Sequence, residues 1–63
     1  MAGNRVEHFR QALKLSRGEL AEVIGEDEAA VQRYETGDSL PPETAHKLAA
    51  MFGVSVPFLL GEE

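Results

Sequence analysis

Apolar residues along this chain recur at helical spacing and nowhere alternate as a strand would. Val6, Phe9 and Leu13 fall at i, i+3 and i+7, with Arg5, Glu7, Arg10, Gln11 and Lys14 on the other positions. That spacing predicts an amphipathic helix with one inward face. Asn4 stands before it as an N-cap, and Leu15 is expected to pack the turn that follows. Ser16 lies three residues before Glu19, the spacing of a capping box; Leu20, Ala21 and Ile24 then form the buried stripe of a second helix. Gly25 stands where that helix would end in the left-handed conformation. Asp27 is another N-cap, Val31 and Tyr34 point inward from a third helix, and Gly37 ends it. The prolines of the loop over 38–42 suit the first turn of a fourth helix, whose stripe is Ala45, Leu48, Ala49 and Phe52 and whose stop is Gly53. Ser55 caps a short fifth helix with Val56, Leu59 and Leu60 inward and Gly61 beyond it.

This punctuation predicts helices over about 5–13, 17–24, 28–36, 42–52 and 56–60, within one domain over 1–63. With short loops and no strand pattern, the fold class is all-α, a compact five-helix bundle. Only two or three residues separate the second and third helices. So short a connection forces a sharp angle between them and makes the pair a helix-turn-helix.

Length and composition narrow the chemistry. A chain of 63 residues buries only about 60% of the surface its unfolded form exposes. It has no cysteine, hence no disulfide or thiolate site, and His8 and His46 lack ligand partners at metal spacing. Neither a metal nor a cofactor is expected, and stability must come from helix packing. Ser16, His8 and Asp27 are not placed as a triad and so small a domain offers little pocket, so an enzyme is not expected. No apolar run approaches the roughly 20 residues of a membrane span, and Met1-Ala2-Gly3-Asn4 lacks the regions of a signal peptide. A cytoplasmic location is the expectation, with which the lack of cysteine agrees. The net charge of −5 argues against a nucleic-acid binder unless a local basic patch offsets it.

Four segments change that balance. Leu15-Ser16-Arg17-Gly18-Glu19-Leu20-Ala21 resembles the second-helix motif L-[TS]-Q-x-E-L-A of the Cro/C1-repressor (XRE-type) family. Gly25, Val31 and Tyr34-Glu35-Thr36-Gly37 resemble its G…I-x-x-[WYL]-E-x-G, and Leu40-Pro41 resembles the x-P before its fourth helix. The stretch from Leu48 through Gly53-Val54-Ser55 to Leu59-Leu60-Gly61 is similar to L-A-x-x-L-G-V-S-x-x-[WF]-L-L. The four occur in order and without gaps over about residues 4 to 61, and most of these positions serve packing or punctuation.

The resemblance implies a lambda-repressor-like DNA-binding domain of a transcriptional regulator, a repressor in function. It would bind double-stranded DNA as a homodimer, with a further domain possible after Glu63. The third helix would enter the major groove. Val31 and Tyr34 point inward, so Glu28, Ala29, Gln32 and Arg33 share the outer side and become the candidate base contacts. Gln32 could read adenine, Arg33 guanine or a phosphate, and Glu28 cytosine N4. Arg17 stands where the family usually has a glutamine at the DNA backbone; with Arg5 and Lys14 it is a candidate phosphate contact, although an exposed first-turn residue explains Arg17 equally simply. Arg10 and Glu35 match family positions that form an ion pair between the first and third helices, the alternative being two solvated charges. Against DNA stands the run Glu26-Asp27-Glu28, which would set three acids at the groove-facing end of the third helix. A second function class therefore stays open, a helix-turn-helix turned protein-interaction or oligomerisation module that meets a basic partner.

Overall fold

Every apolar stripe is wound into a helix in the computed structural model, which describes residues 4–62. Met1, Ala2 and Gly3, on which the expectation of no leader rests, lie outside the described residues, as does Glu63. The elements are α1 (Val6–Ala12), α2 (Arg17–Ile24), α3 (Glu28–Glu35), α4 (Pro42–Phe52) and α5 (Val56–Leu59), with no strand among the described residues. No helix among them is long and apolar enough to cross a membrane.

Each helix commits one side chain wholly to the centre: Val6, Leu20, Val31, Leu48 and Leu59 have no exposed surface. Ala21, Ala30, Ala45 and Ala49 are buried around them, and their small side chains let the helix axes approach. Phe9 seals one flank, stacked on Phe52 at 5.3 Å between ring centroids and tilted against Phe58 at 6.1 Å. Burial of this kind stabilises by about 25 cal/mol per Å² of apolar surface. The core is therefore distributed over all five helices, and even the four-residue α5 is anchored by it.

The helix ends follow the punctuation. Ser16 and Glu19 form a reciprocal capping box on α2, Ser55 Oγ accepts from the Phe58 amide on α5, and Pro42 occupies the first turn of α4. Gly25 closes α2 at φ 75°, a conformation any side chain would strain.

Two expectations about α1 need correction. Asn4 is not its N-cap: Arg5 holds that position, without a side-chain cap. The Asn4 carboxamide instead accepts from the Val6 amide and donates to the Tyr34 carbonyl at 2.7 Å, fastening the start of α1 to the end of α3. Leu13 is not inward but 49% exposed. Leu13, the C-cap, still bonds to the Phe9 carbonyl, but the chain then turns through Lys14 at φ 59°, and Leu15 rather than Leu13 packs against the core.

Candidate nucleic-acid interface

Three residues, Gly25 to Asp27, join α2 to α3. Asp27 accepts from the Ala30 amide at 2.8 Å and starts α3. Val31 and Tyr34 are buried beneath it, and Glu28, Ala29, Gln32 and Arg33 all lie exposed on its outer side. The α2 N-terminus is close by, since a Cβ added at Gly18 would sit 3.6 Å from Glu28 Oε1. The exposed side of α3 and the first turn of α2 therefore form one continuous surface.

The acidic run does not face outward as a block. Glu26 is half-buried, and its carboxylate accepts from the Tyr34 hydroxyl and from Thr44 Oγ1, each at 2.5 Å. It ties the turn to α3 and α4 and leaves Asp27 and Glu28 as the acids at the outer end of α3. The hydrogen bond from Thr44, then that from Tyr34, holds the Glu26 carboxyl below the usual carboxylate range, and the same contact raises the Tyr34 phenol. A carboxylate depressed on folding contributes stability that is present above its unfolded value of about 4.3 and is lost as pH falls through the folded value. Glu26→Gln keeps one acceptor but loses the charge-assisted bonds, so it should cost about 1–2 kcal/mol at neutral pH. It should also flatten the acid limb of the stability curve. Urea melts from pH 3 to 7 check both, and an unchanged acid limb would remove Glu26 as its source.

One buried carboxylate joins the two helices of the motif to α1. Arg10 Nε on α1 donates to Glu35 Oε2 at 2.6 Å, and Arg17 Nε on α2 donates to Glu35 Oε1 at 2.9 Å. The Glu35 side chain is 2% exposed and that of Arg10 11%, whereas Arg17 stays 38% exposed. Arg10 also donates to the Leu15 carbonyl at 2.8 Å, so no buried side-chain polar atom of the cluster is left without a partner. The hydrogen bond to Glu35, then its charge, raises the Arg17 guanidinium above its usual value. The structure thus brings Arg10 and Glu35 together and adds Arg17, which the sequence alone left on the surface.

The remaining cations divide. Arg5 is engaged at the start of α1, where it donates to the Phe58 carbonyl with its guanidinium carbon 4.3 Å above the Phe58 ring. This candidate phosphate contact thus already has a structural task at Phe58, which the sequence did not show. Lys47 on α4 reaches the Ile24 carbonyl at 3.5 Å and Glu43 at 3.9 Å. Lys14 is exposed in the turn before α2, and Arg33 is exposed with Asp38 3.9 Å away. Lys14, Arg17 and Arg33 are the basic groups the fold leaves toward solvent around this surface. No group of three or more histidine, aspartate or glutamate side chains among the described residues is arranged to hold a metal.

Comparison with known families agrees with this geometry. A helix-turn-helix family model matches residues 6–59, from the first buried residue of α1 to the last of α5. The chain belongs to this Cro/C1-type helix-turn-helix (XRE) family, and it is a DNA-binding domain of the transcription-regulator type rather than a member of an enzyme family.

Proposed function

We propose that this family member is a sequence-specific repressor domain that places α3 in the major groove and acts as a homodimer. The observation that carries the reading is the division of α3. Val31 and Tyr34 fix one side in the core, while Glu28, Ala29, Gln32 and Arg33 stand exposed together beside the first turn of α2. Gln32 presents the amide that pairs with adenine, Arg33 the fork that pairs with guanine, and Glu28 an acceptor for cytosine N4. Arg17 and Lys14 take backbone phosphates. The inward turn of Glu26 removes one of the three acids that favoured a basic protein partner. Selection of duplexes from a random pool by the purified domain at low salt tests the reading. Recovery of a two-fold symmetric site supports it, and recovery of no preferred sequence rejects it.

With two cations per protomer, Lys14 and Arg17, assigned to phosphates, binding should respond only weakly to salt. At about −0.9 per neutralised phosphate, the slope of log affinity against log salt is expected near −2 per protomer. Useful affinity then requires two protomers on half-sites about one helical turn apart. Anisotropy titrations across salt check this, and a much steeper slope for the isolated domain would contradict it.

Glu28 is the acid with the most direct effect on DNA. Glu28→Gln keeps size and a hydrogen-bonding tip, so generic DNA affinity should rise while preference for cytosine at one position weakens, a contact worth about 1–3 kcal/mol. Asp27 still caps α3, and the helix should lose only about 0.3–1 kcal/mol of dipole stabilisation. Parallel titrations with the selected duplex and a cytosine-substituted one read the change. Unaltered binding to both would take Glu28 out of the interface.

A further inference from the structure

The contact between Arg17 and Glu35 assigns a second task to a carboxylate whose evident task is structural. We propose that Glu35 is a positioning residue for DNA binding, one that orients Arg17 as a phosphate clamp; this rests on the DNA-binding reading above. Each oxygen of Glu35 is taken by one arginine through its Nε, Oε2 by Arg10 and Oε1 by Arg17. Arg10 also commits a terminal amino group to the Leu15 carbonyl and is almost wholly enclosed. Arg17 is different. It touches Glu35 through Nε alone and its side chain remains 38% exposed, so its two terminal amino groups are available at the start of α2, beside Glu28 and the outer side of α3.

An arginine free in solvent must give up rotamer freedom to hold a phosphate, and a pinned one has already done so. Arginine can serve two anions at once because its five donors are spread over three nitrogens. Lysine carries a single ammonium on a flexible stem, which must either meet Glu35 or turn to the phosphate. Glutamine, the family's usual residue here, lacks the charge for either. The same carboxylate that joins α1, α2 and α3 therefore sets the direction of the clamp, and the phosphate contact inherits the rigidity of the core.

The test compares Arg17→Ala, Arg17→Lys and Glu35→Gln by anisotropy titration against the duplex recovered by selection. Arg17→Ala is expected to weaken binding about tenfold, as loss of a charge-assisted hydrogen bond does, and to make the salt slope shallower by about 0.9. Arg17→Lys keeps the charge, yet it should bind within about twofold of Arg17→Ala, since the donor geometry is lost. In a Glu35→Gln background shown by circular dichroism to be folded, Arg17→Ala should cost less than about twofold, because the clamp is already released. Wild-type affinity in Arg17→Lys, or the same tenfold loss with and without Glu35, would overturn the assignment. Should Glu35→Gln not fold, the lysine comparison decides alone. Failure of the wild type to bind any selected duplex rejects the DNA-binding reading and the clamp with it, an outcome distinct from normal wild-type binding with an indifferent Arg17.

Discussion

Arg10→Ala is expected to leave the domain largely unfolded at 25 °C. The Glu35 side chain is 2% exposed, and removing its buried partner strands a charge in a low-dielectric site, a loss of about 3–5 kcal/mol. A domain of this size seldom has more than about 3–5 kcal/mol to lose. Arg17 cannot compensate, because its contact is on the other oxygen and on the solvent side. Glu35→Ala should be comparably costly, since it releases two arginines, one of them enclosed. The double change Arg10→Ala with Glu35→Ala should cost far less than the sum of the single losses, as coupled neighbours do. A volume-matched apolar pair, Arg10→Met with Glu35→Leu, should recover much of the stability, because well-packed apolar groups replace buried ion pairs at little cost. Urea melts of these variants decide, and additive losses of a few tenths of a kcal/mol would mean that the pair adds nothing beyond surface charge.

The second large effect concerns recognition. Gln32→Ala combined with Arg33→Ala should lower affinity for the preferred site by about 2–6 kcal/mol, two base contacts at about 1–3 kcal/mol each. Both residues are exposed and alanine is the better helix former, so the fold should be untouched. Affinity for mixed-sequence DNA should fall much less, because only the phosphate share of Arg33 is lost from it. The specificity ratio, read from paired titrations on the preferred and the mixed duplex, is therefore the sensitive quantity. An equal loss on both duplexes would make Arg33 a backbone contact and leave Gln32 without a reading role.

What was legible in the sequence depended on how far apart the partners lie. The core stripes and the capping of α2, α3 and α5 involve neighbours within one or two turns, so spacing alone revealed Leu20 with Ile24, Ala45 with Leu48, and Ser16 with Glu19. Glu26 was misread as an outward acid because Tyr34 and Thr44, its donors, lie 8 and 18 residues away, and a run of three acids before a helix looks like a charged cap. Arg17 looked solvated for the same reason, since its partner is 18 residues on. The Arg5 contact was invisible because nothing local points to Phe58, 53 residues distant. Arg10 and Glu35 could be joined only through family resemblance, as no periodicity relates α1 to the end of α3. Leu13 failed differently: it keeps its helical register, with its amide bonded to the Phe9 carbonyl, but the chain turns back at Lys14 and Leu15 packs against the core in its place. Signals that would have helped with Glu26 were present in Tyr34 and Thr44, buried hydroxyls that each need a partner.

The central claim is that the outer side of α3, with the first turn of α2, is the surface that meets DNA. Backbone amide shifts of the labelled domain, followed while the selected duplex is added, test it most directly. The account predicts that the largest changes fall on residues 16–18 and 28–33, with Lys14 beside them and the buried amides of α4 and α5 little moved. Changes concentrated instead around the exposed Leu13, Val23 or Phe58, with α3 silent, would contradict it.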